Sequence, residues 1–386
     1  MTESGNTIVE NESIEKWFSE QNDNEFPRYS LAKGEISYKE RYLRFKESLI
    51  PIHNSVERNA MAAGAVEWME ETKKIFSEIE DNAKRDEKLR QLEESDPVVH
   101  LNNHGVGHVD KVIEKLSEML WSFERGYLTP YESFFLLCAI QIHDVGNNFG
   151  RENHERSLKR ILDEKGQPHI PDSFERKLIE KLALVHGGTM EGMKNTIDYL
   201  EEKKTLYEKK LRKRLLAALL RFADELADDS SRADREGLSL GTILEGSLIY
   251  HRYSEALHTV KIEKNENEKL QVYLSYEIDS DLAGKKFKKN GKEKYLLDEI
   301  YDRTLKMERE RRYCMRFIRP CLSLDCIRVE IVIQNTRDSF KREKIQYTLK
   351  ENGYPSAPAT GSILDFSSSI RCGSEQYQYL QREWSL

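Results

Sequence analysis

The run Phe134-Phe135-Leu136-Leu137-Cys138-Ala139-Ile140-Gln141-Ile142 ends in the doublet His143-Asp144. It is the most hydrophobic helical stretch of the chain, and a fold that contains it must cover it with other elements. The doublet at its end is carried toward the interior with it. A carboxylate costs several kcal/mol to bury unless a partner compensates it. A metal ion is the most economical partner, and it demands further ligands from elsewhere in the chain.

From about residue 98 to 230 the pattern is a string of amphipathic helices with no strand signal. The spacing predicts helices over about Val106 to Phe123, Tyr131 to His143, Glu152 to Lys165, Ser173 to His186 and Leu211 to Asp228. A further one covers about Ile197 to Lys210 or merges into the last. Gly126/Pro130, the loop Gly146 to Gly150, Gly166 with Pro168, and Gly187-Gly188 punctuate them. His104 and His108 are four apart, so they share a face if the helix has begun at His104. His108 lines up with Val112 and Leu116, so it points inward, and Gly105 and Gly107 leave room for a close approach. His154 shares a stripe with Leu158, Ile161 and Leu162. His186 shares one with Leu178, Leu182 and Val185, and Asp224 lies with Leu220, Ala223 and Ala227. Taken singly, each of these polar residues is explained as a hydrogen-bonded core residue or a cap. Five helices in a row, each carrying one, favour convergence on a metal centre built from facing helices. Imidazole plus carboxylate suits Mn, Fe, Ni, Co or Zn better than Ca, with Mg also admitted.

The flanks read differently. Residues 1 to about 50 are polar with scattered aromatics (Trp17, Phe18, Tyr29, Tyr38, Tyr42), and Met61 to Leu92 has helical spacing that Asp96-Pro97 breaks. Beyond residue 235, Ser247 to Tyr250, His258 to Ile262 and Leu270 to Tyr276 alternate like strands. A Lys/Gly-rich loop is expected over 282–293, a long charged helix over Lys294 to Arg316, and the clearest strand over Ile327 to Ile333. Tyr354 to Ser369 is Pro/Ser/Gly-rich and reads as loop. The expected fold is mainly α, with an N-terminal helical extension (1–97), a helical domain (98–235) and a C-terminal α+β region (236–386).

Composition bounds the function. With 386 residues, 38% hydrophobic and 33% charged, the chain suits a helical core with heavily charged outer faces. A net charge of −7 gives no global basic field for nucleic acid. The local runs Arg212-Lys213-Arg214 and Lys285-Lys286-Phe287-Lys288-Lys289 read first as solvated faces or loops. No apolar stretch reaches the ~20 residues of a membrane span, and Met1 to Glu10 carries no apolar signal segment. The expectation is a cytoplasmic protein with no membrane partner. Five cysteines without a CxxC pair read as reduced thiols, and Cys321-x4-Cys326 is a weak zinc signal without nearby histidine.

The order His108 … His143-Asp144 … Asp224 resembles the His … His-Asp … Asp signature of the HD superfamily of metal-dependent phosphohydrolases, over about residues 98–232. His104-Gly105-Val106-Gly107-His108 is similar to the HxxxH segment of several HD branches, cyclic-nucleotide phosphodiesterases included. Ile142-His143-Asp144-Val145-Gly146 matches the HDxG core. His154 to Leu162 resembles the HxxSxxxIL helix of bacterial HD hydrolases, and Arg221 to Asp228 looks like their closing ADxLD helix. The likeness extends to bacterial HD domains sometimes joined to GHKL-type ATPases, although no ATPase motif is visible. Members often carry Asp before the first His, where this chain has Asn103.

The resemblance implies an HD-type helical bundle for 98–235. It implies that His108, His143, Asp144 and Asp224 hold one divalent metal, with His154 and His186 completing a second site and Asp144 bridging. A single-metal site, with His154 and His186 touching phosphate, stays open beside it. His104 becomes the general acid, so the catalytic residues are His104 and Asp144. Lys111, Arg151, Arg156 and Arg232 are candidates to neutralise substrate phosphates, against a solvated-surface reading for each. The implied activity is metal-assisted hydrolysis of a phosphoester in a phosphorylated small molecule, a nucleotide or cyclic nucleotide. The alternatives are an HD-type nuclease on single-stranded nucleic acid, using Phe287 and its lysines, and a non-catalytic nucleotide sensor. Base, phosphate number and oligomeric state, a homo-oligomer included, stay open.

Overall fold

The computed structural model describes residues 12–27, 36–58, 84, 106–123, 127–145, 154–187, 192–241, 243, 245–289, 291–351, 363 and 370–384. The chain groups into two units, each made of separated segments. The first gathers residues 1–54, 105–227 and 310–324, and the second 55–104, 228–309 and 325–386.

The first unit is helical. Its elements are α1 (Ile14–Glu20), α2 (Tyr38–Arg58), α3 (Val106–Trp121), α4 (Pro130–Ile142), α5 (His154–Ile161), α6 (Ser173–Leu184), a hairpin of β1 (Lys204–Leu206) and β2 (Lys209–Leu211), and α7 (Lys213–Leu226). The apolar run forms α4, and every one of its residues is buried. Its start is fixed by Pro130 in the first turn and by a reciprocal cap between Thr129 and Glu132. Glu132 also accepts from Arg212, at 2.9 Å to Nε and 2.6 Å to Nη2, which answers its burial with a bidentate partner.

Around α4, α3 buries Val109, Val112, Ile113 and Leu116, α6 buries Leu178, Ile179 and Leu182, and α7 buries Leu216, Leu219, Leu220 and Ala223. Helix α2 adds a buried line of Tyr38, Tyr42, Phe45, Leu49 and His53 at helical spacing. Phe45 and Leu49 contribute about 2 kcal/mol each by leaving water. Tyr38 and Tyr131 both donate to Glu175 Oε1, at 2.7 and 2.8 Å, which ties α2 and α4 to α6.

Several expectations need correction here. The helix expected over Ile197 to Lys210 is replaced by a 3-10 turn, Thr196–Tyr199, and the antiparallel hairpin β1–β2 with Lys204 opposite Leu211. Its two turn residues, Tyr207 and Glu208, have φ of 50° and 68°. Such turns ordinarily carry Asn-Gly, so Tyr-Glu leaves the hairpin without its usual signature. Helix α5 gives way at Leu162 to a π turn through Gly166, and α6 stops at Leu184, before His186. The run Arg212-Lys213-Arg214 is no solvated face. Lys213 is buried and pairs with Glu201, and Arg214 donates to the carbonyls of Leu200 and Asp198 at 2.7 and 3.1 Å.

The second unit is α+β. It holds α8 (Arg235–Leu240), α9 (Glu245–Ala256), β3 (Leu257–Lys264), β4 (Leu270–Asp279), the single turn α10 (Ser280–Ala283), β5 (Lys286–Lys289), β6 (Lys292–Tyr295), most of α11 (Leu296–Ile318), β7 (Cys326–Gln334), β8 (Arg342–Lys350) and α12 (Gly373–Trp384). Four strands form one sheet in the order β3-β4-β7-β8. Strands β4 and β7 run parallel, with Leu274 opposite Val329, and the outer pairs are antiparallel. A parallel pair needs a crossover, and α11 lies within the one that joins β4 to β7. Alternation buries Leu274, Tyr276 and Ile278 on β4, Val329, Ile331 and Ile333 on β7, and Ile345, Tyr347 and Leu349 on β8. Thr304 of α11 meets the Tyr347 hydroxyl at 2.8 Å on that face.

Ser247 to Tyr250, expected as a strand, lies inside α9. Ile249, Tyr253 and Ala256 are buried one and two turns apart, and a four-residue window is too short to separate that period from alternation. The expected loop over 282–293 contains the hairpin β5–β6, turning through Gly291 at φ 73°. Apart from Lys84, Met61 to Leu92 lie outside the described residues, and so does Tyr354 to Ser369 apart from Ile363. No helix among the described residues is long and apolar enough to cross a membrane.

Candidate metal centre

Four side chains from three helices of the first unit converge. His108 lies in the first turn of α3, His143 and Asp144 directly follow α4, and Asp224 lies in the last turn of α7. One ligand atom from each falls within 4.8 Å of all the others. His108 Nε2 is 3.2 Å from Asp224 Oδ1 and 3.5 Å from Asp144 Oδ2. His143 Nε2 is 3.4 Å from Asp144 Oδ2 and 3.6 Å from Asp224 Oδ1. The His143 side chain is 0% exposed and that of Asp224 27%, so the cluster is sealed on one side and open on the other.

Helix ends aim these groups. The last carbonyls of a helix have no partner within it. His143 Nδ1 donates to one of them, Ile140 O, at 2.7 Å. A carbonyl can only accept, so the proton sits on Nδ1 when the ring is neutral, and the Nε2 lone pair faces the carboxylates. His186 repeats the arrangement after α6, where its Nδ1 donates to Ala183 O. Its Nε2 lies 3.7 Å from Asp144 Oδ1, and its ring stands at 89° to that of His143, 5.0 Å away. Two helix C-termini, each bearing partial negative charge, therefore flank the cluster, a setting that favours a cation.

The electrostatics point the same way. Burial alone would discharge His143, but Asp144 and Asp224 outweigh it and hold its pKa well above the ordinary imidazole value. Burial would push the Asp224 carboxyl up, but the approach of His108 and His143 holds it well below the usual carboxylate range. The residues fit a divalent metal by spacing and chemistry. Metal–ligand bonds of about 2.1 Å set neighbouring ligand atoms about 3.0–3.5 Å apart, and the four contacts of His108 and His143 with Asp144 and Asp224 run from 3.2 to 3.6 Å. His143 Nε2 is buried and makes no hydrogen bond of good geometry, as a nitrogen reserved for a cation would be.

The remaining expected residues are distributed as follows. His104 and Arg151 lie outside the described residues, and His154 and Arg156 belong to α5 with their side chains outside them. Lys111 is half-buried on α3 and pairs with Glu114 at 3.0 Å. Arg232 groups with the second unit, where its Nη1 is 3.5 Å from Asp228 Oδ1. In the basic run after residue 284, Lys286 pairs with Glu293 at 2.9 Å, Lys288 with Glu245 at 2.7 Å and Lys289 with Glu299 at 2.6 Å. One residue near the centre escaped the sequence reading. His53 of α2 is buried, with His143, Asp144 and His108 close enough for their charges to act on it. The stripe Tyr42, Phe45, Leu49, His53 carries the same signal that marked His154 and His186.

The model of the protein family described as HD-CE matches residues 89–306, more than half of the chain. No curated protein and no solved structure matches.

Proposed function

The chain belongs to the HD-CE family, and we propose that it is a metal-dependent phosphohydrolase that cleaves a phosphoester of a nucleotide or cyclic nucleotide. The observation that carries this reading is the division of labour within Asp144. Its Oδ2 faces His108 and His143, while its Oδ1 faces His186. A carboxylate that turns one oxygen to His108 and His143 and the other to His186 could serve two cations, which would activate water and polarise a phosphoryl oxygen. His108, His143, Asp144 and Asp224 would hold one cation, and His186 and His154 are the candidates that would hold a second. A bound divalent metal of the Mn, Fe, Ni, Co, Zn or Mg type lowers the pKa of water and polarises a phosphoryl oxygen.

The chain's own groups supply the rest. Asp144 and Asp224 offset the charge of the ions, and the ties from His143 Nδ1 and His186 Nδ1 keep both rings from turning away. His104, four residues before His108, is the proton donor to the leaving group. Lys111, Arg151, Arg156 and Arg232 are the candidates to meet substrate phosphate. Single-stranded nucleic acid is the weaker substrate class, because most lysines of the Lys285–Lys289 run already have carboxylate partners. The test is a hydrolysis screen over nucleotides, cyclic nucleotides, cyclic dinucleotides and short oligonucleotides with Mn, Co, Ni and Mg. Turnover of a nucleotide that disappears in Asp144→Ala is the expected result. No turnover with any metal, or equal turnover in the variant, would overturn the proposal.

A further inference from the structure

Thr196 opens the 3-10 turn that follows α6 in the chain, and it is 0% exposed. Its hydroxyl donates to the Val185 carbonyl at 2.7 Å in a buried contact. Val185 ends α6, and His186 comes next. The same hydroxyl accepts from Arg221 Nη1 of α7 at 2.8 Å, in a second buried contact. A guanidinium can only donate, so the Thr196 proton is directed to Val185.

These contacts hold the peptide unit that leads into His186. Its carbonyl is taken by Thr196, and its N–H donates to Ala183 O at 3.5 Å. The ring beyond it is tied through Nδ1 to that same Ala183 carbonyl, with Nε2 3.7 Å from Asp144 Oδ1. Behind Thr196, Arg221 is fixed in turn. Its Nη1 also donates to Lys194 O at 3.0 Å, and Glu310 takes Nε and Nη2 at 2.7 and 2.9 Å. The Tyr313 hydroxyl of α11 accepts from the backbone N–H groups of Ile197 and Asp198, at 3.0 and 3.3 Å, so the turn that carries Thr196 is held as well.

We infer that Thr196 and Arg221 are positioning residues of the metal centre, locking the Val185–His186 peptide and so setting where the His186 ring meets Asp144. The inference rests on the metal reading of the cluster and on the place proposed for His186 beside Asp144 Oδ1. It adds Thr196 and Arg221 behind that ring, and behind them Glu310, which lies beyond the family-matched residues. Hydrogen-bond partners behind metal ligands typically set affinity by about 10–100-fold. A merely structural hydroxyl would lower stability and leave metal affinity where it was.

The test is a Co2+ titration of the full chain by calorimetry, with the visible absorption spectrum of bound Co2+ as a second readout. Thr196→Val, which keeps the shape of the side chain and deletes the hydroxyl, is expected to bind Co2+ about 10-fold more weakly with a changed spectrum, while circular dichroism shows it folded. Thr196→Ser, which restores the hydroxyl, is expected to recover most of the loss. In a His186→Ala background, where the ring is already gone, Thr196→Val is expected to change affinity by no more than about twofold. If Thr196→Val fails to fold, Glu310→Gln, which removes the charge that holds Arg221, carries the test with a several-fold weakening expected. Unchanged affinity and spectrum in the folded variants, or an equal loss with and without His186, overturn the inference alone. A His186→Ala protein that binds Co2+ as the unaltered one does overturns the place of His186 and this inference with it, and leaves the cluster of His108, His143, Asp144 and Asp224 standing. No Co2+ binding by the unaltered protein overturns the metal reading as a whole.

Discussion

The centre is governed, residue by residue, by opposed tendencies that the cluster resolves. Burial disfavours the charged forms of His143 and Asp224, yet mutual contact raises the first pKa and lowers the second. The signs set two limits on stability. The contribution of Asp224 is present above about pH 4 and is lost as pH falls through its depressed pKa; that of His143 is full below about pH 6.5 and is lost as pH rises through its raised pKa. A metal needs the imidazole lone pair, so binding expels the proton that His143 holds. Mn2+ or Co2+ affinity is therefore expected to climb with pH and to keep climbing above the ordinary imidazole value of about 6.5, and the heat of binding to change with the ionisation enthalpy of the buffer. A flat affinity with buffer-independent heat would contradict this. The inward aim of His108 and Asp224 was legible from their apolar stripes. His53 was not picked out, because its stripe lies in a segment that reads as polar overall. The tie from His143 Nδ1 to Ile140 was beyond reach, since it depends on where the helix stops.

For the elements, the first unit is held together by buried polar knots as well as apolar faces. Glu175 of α6 accepts from Tyr38 of α2 and Tyr131 of α4, with Arg41 Nη1 3.7 Å from its other oxygen. Burial pushes the Glu175 carboxyl up, against the two hydroxyls and Arg41, which pull it down. Glu175→Leu removes the acceptor of both buried hydroxyls and is expected to destabilise the protein by about 3 kcal/mol. Urea unfolding measures it, with an unchanged m value, and a loss below about 1 kcal/mol would show the knot to be incidental. The helices of this unit were readable because each stripe keeps its period through several turns. The hairpin Lys204–Leu211 was not, because strands of three residues are too short for alternation to show.

In the molecule as a whole, residues 310–324 group with a unit whose other segments end at residue 227. Helix α11 runs unbroken through the change at Glu310, so no turn or composition shift marks it in the sequence. The bond that fastens this segment is specific. Arg221 of α7 donates to Glu310 from Nε at 2.7 Å and from Nη2 at 2.9 Å, both side chains largely buried. Arg221 stands one turn before Asp224, so the segment also steadies the helix that carries a candidate ligand. Glu310→Ala leaves a buried guanidinium without its carboxylate and is expected to cost about 3 kcal/mol in thermal or urea unfolding. A change within about 0.5 kcal/mol would mean the segment is held by packing alone.

What stands or falls first is the claim that His108, His143, Asp144 and Asp224 hold a divalent metal. The direct measurement is the metal content of purified protein after loading with Mn2+ or Co2+ and dialysis, by elemental mass spectrometry, beside Asp144→Ala treated identically. Stoichiometric metal in the unaltered chain and none in the variant, with equal helical circular dichroism, is the predicted result. Equal metal in both, or none in the unaltered chain, would contradict it.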